Sequence, residues 1–180
     1  QRDLNIALMN EILMICEKLK INYSEVLRLA KTKRNFINFL PGLVGGHCLP
    51  VDPYYLSNIA RKNRINSNVI LAGRKTNNRM EVFIINFLKK FLNFKRKRLK
   101  NTNILIVGLT YKYGVSDMRN SLNFNIFQKA KKLYKKTDGY DPFINADIKK
   151  KFKILLSIKN IKSYNVILFL SKGKKFQNLF

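Results

Sequence analysis

The sequence predicts an α + α/β protein, a helical half followed by a small doubly wound parallel-sheet domain, and two observations carry that prediction. Apolar residues recur at helical spacing through much of residues 1–94. After a basic cluster at Lys95 to Lys100 the period changes, and short continuous apolar runs ending in glycine or a turn take over through residues 101–180. With 180 residues, 46% of them hydrophobic, the chain has ample material for one large core or two small ones.

Leu4, Leu8, Ile12, Ile15, Cys16 and Leu19 fall at helical spacing, so an amphipathic helix is expected over residues 1–20. The pattern is already running near Gln1, with neither a cap nor a methionine before it, so the helix is expected to begin upstream in a longer protein. Asn22-Tyr23-Ser24-Glu25 offers Ser24 as the N-cap of a short second helix through Val26, Leu27, Leu29 and Ala30. From Leu56 through Phe94 the pattern is helical again, uninterrupted by proline, with Val69, Ile70, Leu71, Val82, Phe83, Ile85, Phe87 and Leu88 as apolar positions. These helices are expected to serve as scaffold and subunit interface. Asn103 to Gly108 reads as a buried parallel strand, Phe124 to Tyr134 as the crossover helix, and Gly139-Tyr140-Asp141-Pro142 as a second strand end with its turn. Val166 to Leu170 reads as a further central strand. Ligands of such sheets bind at the carboxyl ends of the strands, which places the segment after Gly108 at a site. Tyr111-Lys112 and Asp117-Met118-Arg119 put a lysine and an arginine where a phosphate would lie, the alternative being simple surface charge.

The segment with the most chemical content lies between the helices, from Pro41-Gly42-Leu43-Val44-Gly45-Gly46 through His47-Cys48-Leu49-Pro50-Val51-Asp52 to Pro53-Tyr54-Tyr55. Glycines allow close backbone approach and positive φ, and Pro41, Pro50 and Pro53 stiffen the loop. Cys48 has two readings, a small buried hydrophobe or a nucleophile; the glycines before it and Asp52 after it give the access and polar setting that a nucleophile needs. Zinc is a weaker alternative, because Cys16 and Cys48 are the only thiols, His47 is the only imidazole and there is no Cys-x-x-Cys pair, so no metal is expected. His47 reads as a loop-packing or substrate-lining residue, since adjacent side chains in an extended loop diverge.

The formal charge is +26, from 36 Lys and Arg against 10 Asp and Glu. The basic residues are scattered rather than gathered on one element, and they accompany many Asn, Ile and Phe, which is the bias of a very AT-rich coding sequence. The positive field favours polyanions nonspecifically, nucleic acid included, and equally a diphosphate-bearing substrate. No apolar run reaches the roughly 18 residues that a membrane helix needs. With two distant cysteines and no secretory signal, a soluble cytoplasmic protein with both thiols reduced is expected.

Asn10-Glu11, Pro-Gly-Leu-Val-Gly-Gly-His-Cys followed by Val-Asp-Pro-Tyr-Tyr-Leu, Arg74 with Asn77-Asn78, Gly-Leu-Thr-Tyr-Lys with Asp117 and Arg119, and Tyr140-Asp141-Pro142 together resemble the UDP-glucose/GDP-mannose dehydrogenase family, nearest to its bacterial UDP-N-acetylhexosamine 6-dehydrogenases of surface-polysaccharide synthesis. The likeness runs in order from residue 1 to the end. It implies a central helical dimerisation domain over residues 1–94 and a Rossmann-like UDP-sugar-binding domain over 101–180, incomplete at its C-terminus, with the N-terminal NAD domain absent. The implied reaction oxidises the sugar C6 alcohol to a carboxylate, with NAD as oxidant and a UDP-hexose or UDP-N-acetylhexosamine as substrate. By the same resemblance Cys48 is the nucleophile that forms the thiohemiacetal and thioester, and Asp52 is a catalytic carboxylate. Phe39, Leu40, Pro41, Gly42, Leu43, Val44 and Gly45 match the loop that holds the nucleotide sugar, Tyr111 and Lys112 match substrate-binding positions, and Arg119 matches an arginine that reaches the cofactor. A homodimer through the central helices is likewise implied.

The departures are informative. The family's catalytic lysine, asparagine and glutamate, and its G-x-G-x-x-G turn, lie outside this sequence, so the piece is expected to be inactive alone. Leu40 stands where relatives often have a polar or basic residue and Arg34 where many have an aromatic one, which leaves the sugar preference open. A reading of another class is a non-catalytic basic binding or assembly module, a decayed remnant.

Overall fold

The structure, a computed structural model, describes residues 1–95 and 101–177. Residues 96–100 of the basic cluster and 178–180 of the expected last connection lie outside the described residues. The chain divides into two compact units, Gln1–Phe83 and Ile84–Phe180.

The first unit contains α1 (Arg2–Leu19), α2 (Tyr23–Ala30), α3 (Asp52–Lys62) and the beginning of α4 (Asn68–Phe94). Lys20 closes α1 in the left-handed conformation, and the cap of α2 is Asn22 rather than Ser24: the Asn22 side chain accepts from the Ser24 amide at 2.9 Å, leaving Ser24 inside the first turn. The stretch expected as one helix from Leu56 to Phe94 is two. The Asn63 side chain donates to the Ile59 carbonyl, Arg64 turns left-handed at φ 58°, and Ile65 N–H returns to Ala60 O at 2.9 Å. Those bonds pair the last carbonyls of α3, which is how a helix stops without proline.

The apolar stripe that identifies α1 is only partly buried in this chain: Cys16 is interior and Leu4 and Ile12 are half-buried. Leu8 and Ile15 are 57% and 50% exposed, whereas Asp3, Ala7, Met9, Asn10 and Cys16 are interior. In α4 the expected Ile85 and Leu88 are buried, whereas Val69, Leu71, Val82 and Phe87 are exposed and Arg74, Asn77, Met80 and Glu81 take interior places. Gly73 allows the two helices to approach, since a Cβ there would lie 2.4 Å from Leu4 Cδ2.

The second unit is built on a three-stranded parallel sheet of order β2-β1-β3, with β1 (Asn103–Val107), β2 (Lys136–Tyr140) and β3 (Val166–Phe169). β1 lies in the middle, Ile104 to Val107 fully buried, as an uninterrupted apolar run requires. β3, expected as a central strand, stands at an edge among the described residues and is only half-buried, because it pairs with β1 on one side. α5 (Leu122–Leu133) crosses from β1 to β2 and buries Ile126, Phe127 and Ala130; α6 (Ala146–Phe152) and α7 (Lys174–Gln177) follow. Leu105, Val107 and Phe176 form a core with Tyr113, Phe143 and Ile167 packed against it.

Gly139 in β2 is required by this packing: a Cβ would sit 2.9 Å from Phe127 Cε2 and 2.8 Å from Leu109 Cδ1. Gly139→Ala is expected to destabilise the chain by about 1–3 kcal/mol, read as a fall in the urea midpoint at unchanged slope; an unshifted midpoint contradicts the packing described.

Candidate functional site

In the first unit, residues 36–45 have no regular secondary structure, and the chain then turns through Gly46 to Cys48 into α3. Two features fix this loop. The Asn10 carboxamide brackets Gly42, accepting from its N–H at 2.8 Å and donating to its carbonyl at 3.0 Å. Val44 is buried nearby. Of the three glycines, only Gly46 takes positive φ (97°); Gly42 and Gly45 do not, and nothing lies within 4 Å of where a Gly42 Cβ would be. Gly42 thus contributes main chain to the site rather than conformational freedom.

Cys48 is exposed, and Cys16 is buried on α1. The Cys48 carbonyl accepts from both Val51 N–H (2.9 Å) and Asp52 N–H (2.8 Å), a turn that leads directly into α3. Asp52 is the first residue of that helix with Pro53 beside it, so its carboxylate stands where the unpaired N–H groups favour negative charge. Asp52, Leu49 and Pro53 line a cleft of about 320 Å³ together with Arg2, Asp3 and Ile70. Phe39, Pro41, Leu43 and Gly45 are half-buried along the loop, whereas Leu40 and His47 are exposed. Among the described residues no three His, Cys, Asp or Glu side chains gather in a way that could hold a metal ion.

In the second unit, the β1–α5 connection is held by buried side chains from three directions. Asp141 is fully buried at the end of β2; its Oδ2 accepts from Leu109 N–H (2.9 Å) and Thr110 N–H (3.1 Å) and lies 3.0 Å from the Thr110 hydroxyl, while its Oδ1 accepts from Phe143 N–H. Asn123 donates to the carbonyls of Gly108 (3.0 Å) and Thr110 (2.9 Å), and the Ser121 hydroxyl donates to the Leu109 carbonyl (2.7 Å) while accepting from Phe124 N–H as the cap of α5. Gly108 is required twice over: its φ is +84°, and a Cβ would lie 2.7 Å from Ser171 Cβ. From this fixed turn the chain presents Tyr111, half-buried, and Lys112, exposed. Tyr113 packs edge-on against Phe143 and Phe176, and its hydroxyl accepts from the Lys175 amide. Arg119 is exposed and oriented by Asp117, with Nη2 to Oδ2 at 2.8 Å and Nε to both oxygens at 3.1 Å; the hydrogen bond to that carboxylate raises the arginine's already high pKa.

The sequence assigns no role to Asn123 or Ser121, and Asn10 and Asp141 enter it only as parts of motifs. Ser121-x-Asn123 directly before a periodic apolar run is a helix-start signal that marks two of them. Asn10 is marked only as part of the Asn10-Glu11 motif, and its contact with the loop is not legible there, because a polar residue on a helix does not reveal which face is buried.

A parallel sheet whose first strand-to-helix turn is pinned in this way, preceded by a helical unit that presents an exposed thiol at a helix start, defines a Rossmann-like domain following a helical one. Models of the UDP-glucose/GDP-mannose dehydrogenase family match both parts: its central domain over residues 1–79 and its UDP binding domain over residues 105–180. The chain belongs to that family. It is 39% identical over 178 residues to Protein CapL of Staphylococcus aureus, covering 98% of this chain and 42% of the relative, and 35% identical over 181 residues to the UDP-N-acetyl-D-glucosamine 6-dehydrogenase of Salmonella typhi, covering 99% and 43%. It superposes on the UDP-N-acetyl-mannosamine dehydrogenase Cap5O of Staphylococcus aureus with a TM-score of 0.80 at 32% identity, covering 99% of this chain and 40% of that one. The chain therefore spans about two fifths of the length of these relatives.

Asp141→Ala leaves three main-chain N–H groups without their acceptor. It is expected to cost at least about 3 kcal/mol in urea unfolding and to accelerate hydrogen exchange at Leu109 and Thr110; a loss below about 1 kcal/mol contradicts the role given to this carboxylate. Gly42→Ala, by contrast, is expected to stay within about 0.5 kcal/mol of the parent.

Proposed function

We propose that this chain is the substrate-handling part of an NAD-dependent nucleotide-sugar 6-dehydrogenase that oxidises the C6 alcohol of a UDP-hexose or UDP-N-acetylhexosamine to the carboxylate for surface-polysaccharide synthesis. The observation that carries this reading is the exposed Cys48 at the turn into α3, four residues before a carboxylate at the helix start, in a chain of this family. The domain assignment follows as 1–94 for a central helical dimerisation domain and 101–180 for UDP-sugar binding.

Cys48 Sγ, as thiolate, adds to the C6 aldehyde carbon and the carbonyl oxygen takes a proton, giving a thiohemiacetal. Loss of a hydride and a proton converts this to a thioester, and water then releases the carboxylate and regenerates the thiol. The aldehyde itself comes from the C6 alcohol by loss of a hydride from carbon and a proton from oxygen, and NAD, when bound, would supply the acceptor for both hydrides, one molecule for each. Asp52 orients the attacking water. Residues Phe39 to Gly45 hold the sugar nucleotide through main-chain contacts, while Tyr111 and Lys112 bind it from the β1–α5 connection, the ammonium pairing with phosphate oxygens. Arg119 is exposed and already oriented by Asp117, which suits it to an anionic or amide group of the cofactor. No Gly-rich dinucleotide turn is present in this sequence, so the other groups that hold NAD must be supplied by another domain. α4 leaves Phe87, Phe91 and Phe94 exposed on one face, an apolar surface suited to a second copy in a homodimer. Among the described residues no helix is long and apolar enough to cross a membrane, and a cytoplasmic enzyme is the reading adopted here.

The test joins the chain to the NAD-binding domain of a relative and follows NADH production with UDP-N-acetylhexosamines. Cys48→Ser is expected to reduce turnover at least 100-fold, and Lys112→Ala to weaken UDP binding about tenfold. Unchanged turnover in the cysteine variant sinks the covalent mechanism. Steeply salt-dependent binding to random DNA with no preference for UDP-sugars favours the basic binding module instead.

A further inference from the structure

Asn10, Arg74 and Asn77 stand out in the sequence, yet the chemistry above gives them nothing to do. The structure brings them together in the interior of the first unit. Asp3 and Asn10 lie two turns apart on one face of α1, and Arg74 and Asn77 occupy the facing side of α4. All four are almost wholly buried: Asn10 and Asn77 fully, Arg74 at 2% and Asp3 at 3% exposure.

Their hydrogen bonds form a chain with a fixed direction. Asp3, an acceptor only when ionised, takes Arg74 Nη1 at 2.6 Å and Asn77 Nδ2 at 2.7 Å, and its main-chain carbonyl takes Asn77 Nδ2 at 2.9 Å. With its nitrogen committed to Asp3, Asn77 must present Oδ1 to Asn10, whose Nδ2 donates at 2.8 Å. Asn10 must then present Oδ1 to the loop, where it accepts from Gly42 N–H, and the remaining proton of Nδ2 goes to the Gly42 carbonyl. The charge on Asp3 thus dictates the orientation of each carboxamide down to the loop main chain. At the other end, Arg74 Nη2 donates to Asn78 Oδ1 at 2.7 Å, and the guanidinium lies 6.0 Å from the ring centroid of Tyr54, two residues after Asp52. The cluster therefore touches the chain on both sides of Cys48.

Stability alone does not account for this arrangement. A buried ion pair recovers little beyond its desolvation cost, and here Asp3 Oδ2 and Arg74 Nε have no hydrogen-bond partner, which adds to that cost. We propose that Asp3, Arg74, Asn77 and Asn10 are positioning residues for the 39–48 loop, with Asn10 fixing its main chain at Gly42. The proposal rests on the reading of that loop as the carrier of the nucleophile.

Amide hydrogen exchange followed by NMR on the full chain tests it. In the parent, Gly42 N–H is expected to exchange at least about tenfold more slowly, relative to its intrinsic rate, than the amide of Leu43, which has no partner among the described residues. Asn10→Ala is expected to accelerate exchange of residues 39–48 about tenfold while the interior amides of α1 and α4 keep their rates, and Asp3→Asn to act in the same direction. Equal protection of Gly42 and Leu43 in the parent overturns the proposal, and that comparison stands even where a variant does not fold. Uniform acceleration of loop and helices in Asn10→Ala also overturns it, since that is the signature of a purely structural residue. These rates do not depend on turnover by Cys48, so a failure of the dehydrogenase reading leaves them unchanged.

Discussion

Buried main-chain N–H and C=O groups must be paired, and a loop that carries chemistry has no helix or strand to pair them. Both units of this chain meet that constraint with buried side chains. In the first, a single carboxamide, Asn10, takes both main-chain groups of Gly42. In the second, Asp141 takes the amides of Leu109 and Thr110, and Asn123 and Ser121 take the carbonyls of residues 108–110. Each loop is thereby held by groups that never reach its surface, which leaves Cys48 at one and Lys112 at the other exposed to solvent.

These two solutions differ in electrostatics. Asp141 is a carboxylate surrounded by N–H and O–H donors, with no cation among the contacts shown, so its charge is balanced by main-chain dipoles in the manner of an inverted helix cap. Asp3 is paired with Arg74, and its charge is carried onward by orienting neutral carboxamides. The first arrangement is local to one turn. The second links α1, α4 and the Gly42 loop, so the helices of the first unit are more than a platform for it.

Much of the fold was legible because β1 has no polar residue after Asn103 and is followed by Gly108, where positive φ and close packing favour glycine, and because α5 opens on a cap and keeps its period. Periodicity found α1 and α4 but only part of their buried faces: Cys16, Ile85 and Leu88 are interior, whereas Leu8, Ile15, Val82 and Phe87 are exposed. A hydrophobic stripe says that a helix exists, whereas the side it buries within one chain is decided by partners far away in sequence, and here those partners are Asp3, Asn10, Arg74 and Asn77. The break at Asn63-Arg64 was invisible because those residues are acceptable in a helix, and only a left-handed Arg64 ends it. The glycine-rich loop was legible as a special backbone, but only Gly46 needs positive φ; Gly42 is a hydrogen-bonding partner, a role that composition cannot reveal. Cys48 was marked by Gly45-Gly46 before it and Asp52 after it, and Asp52 with Pro53 opens α3.

The central claim is that the Cys48 thiol captures a nucleotide-sugar aldehyde. The most direct measurement is the NMR signal of a UDP-N-acetylhexosamine 6-aldehyde carrying ¹³C at C6, mixed with this chain. A thiohemiacetal carbon resonance that appears with the parent and is missing with Cys48→Ser is the predicted result. The same resonance in both, or only free aldehyde and its hydrate with the parent, contradicts the account.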